Sequence, residues 1–347
     1  MAPLKPRERI AAAIEFREPD RLPLRIYPAP GGLYEHGQKL VDLTRECGHD
    51  FGDLFSLALP TPPAPEDFDE DGRYHVIRTD EWGTTWEYRI YGVWGHPIAW
   101  PLADLSALGG YTPPPHPPAS GPDVDAGRLA IVEAKETYFT LGGGGLVFER
   151  LHSIRRFEDV LMDLVADTPK IHRITDMIVE DCLAYVQRSL AMDVDAVTFG
   201  DDYGTQQAML ISPETWRRFF RPRYAALFDP VRRAGKRIFY HVCGEVTPIL
   251  EDLAELGVGV IWPQLTAFDV PWLARRCRDL GMCVELHPDR GGLMQRATPG
   301  EVRDYLHRLL DTFGTMEGGS WLYIEVDPGF PYENVEALFQ VAMEARA

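Results

Sequence analysis

The chain has 347 residues, of which 45% are hydrophobic and 25% are charged, and its formal net charge is −18. This composition is typical of a soluble globular protein with an ample core. The negative charge argues against nucleic acid or an anionic membrane as a partner, because both need a basic protein surface.

The location of the protein is predicted from three further features. No run approaches the roughly 18 apolar residues of a membrane span, and the first residues, Met1 to Lys5, contain no apolar signal-peptide core. The cysteines are few and odd in number, which argues against a disulfide scaffold and favours a reducing compartment. They are Cys47, Cys182, Cys243, Cys277 and Cys283. We therefore expect a cytoplasmic protein.

The first part of the chain predicts one helix and two strands. Residues 7–16 carry an amphipathic helical pattern, and residues 21–27 form a short strand candidate. A second strand is predicted near residues 51–57.

Residues 60–125 differ in composition from the rest of the chain. Prolines interrupt regular helix there, and two short segments, 74–77 and 84–90, have the pattern of antiparallel strands. Because the segment has too few apolar residues for its own core, we expect an insertion or lid at the mouth of the fold. The contacts would come from Trp82, Trp86 and Trp94. The alternative is a hairpin that covers the opposite face or supports a homodimer.

From about residue 136 strands and helices alternate. Strand patterns occur at 138–141, 196–199, 237–240, 258–262, 282–286 and 321–324, and helical patterns occur at 156–164, 169–190, 213–233, 246–256, 271–280, 299–313 and 334–345. Such alternation predicts βα units around a parallel sheet. With about eight strands, an α/β (β/α)₈ TIM barrel in a single domain, residues 1–347, is the best fit. A doubly wound open sheet is the alternative, but no G-x-G-x-x-G opens the first unit.

Polar residues follow the later strands, where a barrel places its active site. The segments are Gly200–Gln206, His241–Gly244, Trp262–Gln264, His287–Arg290 and Glu325–Asp327. His241 and Cys243 are two residues apart at a strand end, so they share one face. Imidazole and thiolate are ligands that zinc favours.

Glu325, directly after the last strand, is the predicted third zinc ligand, because a buried carboxylate there needs a metal or a partner. The alternative is that Glu325 pairs with an arginine such as Arg290 and that His241 is merely hydrogen-bonded. Asp201 and Asp202 point to opposite sides of an extended chain, so one faces the pocket, unless one caps the following loop. The glycines at 142–145 are predicted to form a flexible hinge.

Several segments carry a family resemblance along nearly the whole chain. They are Arg7–Ile10 with Glu18–Pro23, Gly200–Gln206 with Ile211–Trp216, His241–Val246, Thr298–Val302 and Pro331–Val335. In these motifs the chain resembles the uroporphyrinogen decarboxylase-like superfamily and, within it, the cobalamin-associated methyltransferase branch. The resemblance implies a (β/α)₈ barrel.

The resemblance also implies a zinc site made of the His-x-Cys motif and a second cysteine near the last strand. Here no cysteine follows Cys283, so either Glu325 replaces it or the site is absent. The implied activity is methyl transfer between a small molecule, methoxylated or a thiol, and a corrinoid (cobalamin). The corrinoid would be carried on a separate protein, because no D-x-H-x-x-G motif occurs in the sequence.

The expected roles follow from the strand ends and the resemblance together. Catalytic roles are assigned to Asp201, Asp202 and Asp289, substrate binding to His36, Tyr203, Gln206, Gln264 and Arg290, and zinc binding to His241, Cys243 and Glu325. The alternatives are a metal-free decarboxylase, in which Asp201 or Asp202 stabilises a cationic intermediate, and a non-catalytic scaffold.

Overall fold

The computed structural model describes residues 3–347. Its strands are β1 (Leu24–Pro28), β2 (Val76–Thr79), β3 (Thr85–Tyr88), β4 (His96–Ala99), β5 (Leu141–Leu146), β6 (Ala196–Gly200), β7 (Arg237–Val242), β8 (Val258–Pro263), β9 (Cys283–Leu286) and β10 (Ser320–Val326). Its helices are α1 (Pro6–Ile14), α2 (Pro30–His36), α3 (Gln38–Cys47), α4 (Pro122–Ala134), α5 (Phe148–Ile154), α6 (Phe157–Ala166), α7 (Pro169–Ala191), α8 (Pro213–Phe219), α9 (Arg221–Arg233), α10 (Leu250–Glu255), α11 (Val270–Leu280), α12 (Leu293–Arg296), α13 (Pro299–Phe313) and α14 (Tyr332–Glu344).

The main sheet has seven parallel strands in the order β1-β10-β9-β8-β7-β6-β5. From β5 to β10 each strand lies beside the next one in the chain, and β1 closes onto β10. This is the topology of a (β/α)₈ barrel with one strand missing. The predicted α/β barrel class is therefore confirmed, with an open seam between β1 and β5 in the described chain.

The prediction of a strand near residues 51–57 is wrong. The absence of this strand from the described sheet leaves the seam between β1 and β5 open. The segment is irregular, and the Arg45 guanidinium donates to the backbone carbonyls of Leu54, Phe55 and Leu57. Those carbonyls are therefore used by a side chain and do not enter a strand ladder.

The predicted glycine hinge is also wrong. Gly142 to Gly145 lie inside β5, paired with β6. A Cβ atom on Gly144 would lie 2.3 Å from the Phe199 ring, and one on Gly142 would lie 2.5 Å from Ser189 Oγ. Glycine is needed because the strand packs directly against its neighbours, and the register shift between Gly143 and Gly145 shows a bulge there.

The helix predicted over residues 213–233 is two helices, α8 and α9. Pro222 has no N–H to donate to the carbonyl four residues earlier, so the hydrogen-bond ladder breaks and a second helix begins. Most other helices and strands lie within a few residues of their predicted positions.

Residues 60–125 contain a small antiparallel sheet, β2-β3-β4. The two predicted strands are present as β2 and β3, and β4 was not predicted. Trp82 and Trp86 are buried, whereas Trp94 is 73% exposed. The lid role of this segment and the single-domain organisation stay predictions. None of the helices in residues 3–347 is long and apolar enough to cross a membrane.

Candidate metal site at the barrel mouth

The strand register brings three polar side chains together at the carboxyl ends of β6 and β7. Gly200 pairs with His241, so Asp202, two residues beyond Gly200, lies beside Cys243, two residues beyond His241. Cys243 Sγ is 3.4 Å from His241 Nε2, and His241 Nε2 is 3.7 Å from Asp202 Oδ1. The three ligand atoms all lie within 4.8 Å of one another.

The backbone of β8 sets the orientation of the His241 ring. His241 Nδ1 lies 3.0 Å from the carbonyl oxygen of Trp262, an acceptor only, so Nδ1 carries the proton and donates it. Nε2 therefore presents its lone pair to the cluster, as a metal-binding imidazole must. Burial lowers the pKa of His241, which favours this neutral form.

The donor set fits zinc. Tetrahedral zinc with bonds to sulfur, nitrogen and oxygen implies separations of about 3.3–3.5 Å between ligand atoms, close to the distances found here. Burial, reinforced by the charge of Asp202, raises the pKa of the Cys243 thiol. A bound zinc ion would reverse this effect, because it deprotonates a coordinating thiol.

Asp201 lies on the opposite side of the chain from Asp202 and is fully buried. Its carboxylate accepts the backbone N–H groups of Val147 and Glu149 at 2.8 Å each, at the start of α5, and the Tyr224 hydroxyl. Burial raises the pKa of Asp201 to about 7. Asp201 thus holds α5 in place and does not line the cavity; its carboxylate binds a segment earlier in the chain and not the following loop.

The candidate metal cluster of His241, Cys243 and Asp202 opens into a cavity of about 790 Å³. Three aromatic side chains, Tyr27, Trp94 and Trp262, contribute to its walls. Ile90, Val93 and Trp94 come from the loop between β3 and β4, so the segment predicted as a lid does border the mouth. The cavity also contains Gln264, Asp289, Arg290, Glu325 and Asp327 from the predicted strand ends.

Glu325 lies in the same cavity but is paired with other groups. Its Oε2 is 3.2 Å from Arg290 Nη1 and 3.5 Å from His287 Nε2, and Arg290 also contacts Asp327. The sequence had left open the alternative that Glu325 pairs with Arg290, and this pairing is present. Asp202, not Glu325, lies within the cluster of His241 and Cys243. The ligand role of Glu325 stays a prediction.

Comparison with known proteins identifies the family of this chain. The model of the uroporphyrinogen decarboxylase (URO-D) family matches residues 143–345. The chain belongs to the uroporphyrinogen decarboxylase family. The superfamily resemblance seen in the sequence is thereby confirmed. No curated protein sequence matches the chain.

The fold of this URO-D family member is similar to that of a methyltransferase from Methanosarcina mazei. The two are 13% identical, with a TM-score of 0.64 over 99% of this chain and 100% of the other. A dihydropteroate synthase from Xanthomonas albilineans is 17% identical, with a TM-score of 0.35 over 48% of this chain and 60% of the other. The first likeness shows a shared fold along nearly the whole chain.

Two other predicted residues lie near the candidate metal cluster. Gln264 Oε1 accepts the backbone N–H of Gly244 at 3.0 Å and a hydrogen bond from Gln206 Nε2 at 3.0 Å. Gln264 lines the cavity, whereas Gln206 does not and is exposed. Together they hold the loop that follows Cys243.

Three further predicted residues have mainly structural contacts. Asp289 lines the cavity, but its carboxylate accepts backbone N–H groups from residues 291–293. Tyr203 is fully buried, stacks on Phe148 and does not line the cavity. His36 packs against Tyr332, also outside the cavity.

The sequence assigned no role to three residues that shape the site, although Trp262 and His287 belong to strand-end segments that it indicated. Trp262 orients His241, His287 borders the cavity beside Glu325, and Glu149 lies close to Asp202. Burial, then the charge of Asp202, raises the pKa of Glu149. Glu149 comes shortly after β5, so applying the strand-end rule to that strand as well would have found it.

Proposed function

We propose that the protein is a zinc-dependent methyltransferase that moves a methyl group between a small molecule and a corrinoid carried on a separate protein. The observation that carries the proposal is the cluster of His241, Cys243 and Asp202 at the barrel mouth. Family membership and the likeness to an archaeal methyltransferase support it. We further propose a cytoplasmic location.

His241, Cys243 and Asp202 would hold the metal, leaving a fourth position open to the cavity as in catalytic zinc sites. Asp202 is preferred to Glu325 as the third ligand because Asp202 Oδ1 lies 3.7 Å from His241 Nε2, near enough for one metal ion to bind both atoms. Glu325 remains the alternative third ligand.

When bound, zinc supplies a Lewis acid for the thiol or for the ether oxygen of a methoxylated compound. The protein side chains orient the reacting groups. Trp262 fixes the His241 ring, and the Cys243 N–H bond to Asp202 Oδ1, 2.8 Å long, fixes the thiol loop. The loop that contains Trp94 borders the cavity.

The corrinoid partner would approach the same mouth, because the methyl group must pass directly between the two substrates. Exposed apolar side chains at this end support such docking, and they include Tyr27, Ile90 and Trp94, which are 47%, 54% and 73% exposed. The acidic charge of the chain, −18, would favour a partner with a basic surface around its cofactor.

A metal-free decarboxylase has less support. A porphyrinogen carries several carboxylates, which need several cations. Among the described residues that line the cavity, Arg290 is the one basic side chain apart from histidine, and it is already paired with Glu325 and Asp327.

Methyl transfer tests the proposal directly. Zinc-loaded protein is mixed with reduced free cobalamin and a methoxylated arene, and methylcobalamin is measured by its absorbance. We expect formation that stops on zinc chelation and resumes on zinc addition, with Cys243→Ser inactive. Full activity in Cys243→Ser, or release of carbon dioxide from a porphyrinogen without metal, would overturn it.

A further inference from the structure

Beside the candidate metal cluster, in the same cavity, lie a hydrogen-bond donor and an acceptor that are both unused. His287 Nε2 and Glu325 Oε2 are buried, and within residues 3–347 neither has a hydrogen-bond partner. They are 3.5 Å apart, but they are not aligned to bond each other. Buried polar atoms of this kind are rare in proteins, and they mark places where a ligand or a water completes the structure.

The role of each atom is fixed by its neighbours. The indole Nε1–H of Trp262 donates to His287 Nδ1 at 3.2 Å, so the ring proton of neutral His287 is on Nε2. His287 Nε2 is therefore a donor.

Glu325 Oε2 is an acceptor. Arg290 Nη1, at 3.2 Å, supplies a compensating positive charge, but this contact is not aligned as a hydrogen bond. Asp327 binds the same guanidinium at 3.3 Å, so the two carboxylates share one arginine. Local charge is thus negative, and the oxygen can accept one more donor.

We propose that His287 and Glu325 bind a hydroxyl group of the small-molecule substrate. One hydroxyl oxygen can accept from His287 Nε2–H and donate to Glu325 Oε2, since two atoms 3.5 Å apart can both lie within hydrogen-bond reach of a third. An ammonium group has no acceptor for His287. A carboxylate has no proton for Glu325 and meets two like charges.

This inference rests on the proposed function, and it narrows the substrate to a hydroxylated methyl donor. Trp262 connects the two parts of the site, because its carbonyl accepts from His241 and its indole donates to His287. The hydroxyl would therefore lie close to the methoxy group. The aromatic walls of the cavity, Tyr27, Trp94 and Trp262, favour an arene as the carrier of both groups.

Binding of matched probes to zinc-loaded protein, measured by calorimetry, tests the proposal. Guaiacol carries a hydroxyl beside its methoxy group, anisole lacks the hydroxyl, and veratrole has it methylated. We expect guaiacol to bind at least about tenfold more tightly than the other two, because a site built for a hydroxyl leaves its polar groups unpaired without one. Equal or undetectable binding of all three would overturn the proposal and leave water as the occupant.

Variants test whether His287 and Glu325, and not the cavity as a whole, cause the preference for guaiacol. His287→Phe and Glu325→Leu should each remove most of the preference for guaiacol, whereas Glu325→Gln, which keeps an acceptor oxygen, should retain part of it. Thr266→Ala, elsewhere in the cavity wall, is the control and should keep the full preference. A preference unchanged in folded His287→Phe would contradict the assignment.

The two proposals can fail separately. Probe binding needs no corrinoid and no turnover, so equal binding together with intact methyl transfer would overturn the hydroxyl site alone. A clear guaiacol preference without any methyl transfer would instead overturn the proposed reaction.

Discussion

Asp202 Oδ1 accepts the backbone N–H of Cys243 at 2.8 Å. The carboxylate that follows β6 therefore holds the loop that follows β7 and carries the thiol. The same oxygen lies 3.7 Å from His241 Nε2. A single atom therefore contacts both halves of the His-x-Cys motif. This contact makes Asp202 part of the candidate metal site, and several predictions depend on it.

Cys243→Ser should abolish stoichiometric zinc binding. Changes outside the ligand set already cost 10–100-fold in metal affinity, so loss of the thiolate should cost at least about 100-fold. Elemental analysis of dialysed protein should give one zinc per wild-type chain and almost none for the variant. Cys47→Ser, at a partly buried cysteine outside the cavity, is the control and should retain full zinc. Wild-type zinc content in Cys243→Ser would contradict the site.

Asp202→Asn and Glu325→Gln compare the two candidate third ligands. Each keeps the side-chain size and removes the charge. Because Asp202 lies in the cluster and Glu325 is paired with Arg290, Asp202→Asn should weaken zinc binding by at least about tenfold. Glu325→Gln should weaken zinc binding less than Asp202→Asn does, because Glu325 lies outside the cluster. Competition with a chromogenic chelator measures the zinc affinity of both variants. A larger loss of affinity in Glu325→Gln than in Asp202→Asn would assign the third ligand to Glu325.

Two neighbouring glycines of β5 should respond differently to alanine. A Cβ on Gly144 would meet the Phe199 ring at 2.3 Å, whereas one on Gly143 has no atom within 4 Å. Overpacking should lower the free energy of unfolding of Gly144→Ala by about 1–3 kcal/mol. Gly143→Ala is the matched control and should change it by less than about 0.5 kcal/mol. Urea unfolding measures both, and equal values would show that β5 tolerates side chains.

The stability of the protein should depend on pH through His49. Its Nδ1 accepts the N–H of Ile26 at 3.0 Å, and burial lowers its pKa from 6.5 to about 4. Between these values the unfolded chain binds the proton and the folded chain does not, so stability falls as pH falls from about 6.5 towards 4. From pH 7 to 5 this group should contribute a loss of about 2 kcal/mol.

The test compares urea unfolding at pH 7 and 5 in wild type and in His49→Gln, whose amide oxygen can still accept from Ile26. The variant should lose about 2 kcal/mol less than wild type over this interval. His96→Gln, at an exposed position, should follow wild type. An equal loss of unfolding free energy between pH 7 and 5 in wild type and in His49→Gln would rule out the contribution of His49.

The loop of residues 90–94 should be protected from protease when the cavity is filled. Its backbone packs on α2, where a Cβ on Gly92 would lie 2.2 Å from Gly31 N, while Trp94 remains mostly exposed over the mouth. A bound ligand would contact this loop and restrict its local opening. Cleavage within residues 60–125 should then be slower with substrate or corrinoid partner than without. Equal rates would favour a purely structural hairpin.

Much of the candidate site follows from the sequence because its signals are local. His241 and Cys243 lie two residues apart at a strand end, and alternation along a strand is enough to place them on one face. Asp202 and Arg290 were found for the same reason, since a barrel gathers the carboxyl ends of its strands at one mouth.

The sequence by itself therefore determined the alternation of strands and helices, the barrel class and two residues of the candidate metal cluster, His241 and Cys243. Only the tertiary structure decided that Asp202 completes the cluster while Glu325 faces Arg290 and His287, and that the glycines belong to β5. It also decided that Asp201 supports α5. The physical reason is that local patterns fix which face a side chain occupies, whereas distances between strands depend on register, on the curl of the sheet and on close packing. Those quantities arise only when distant segments meet.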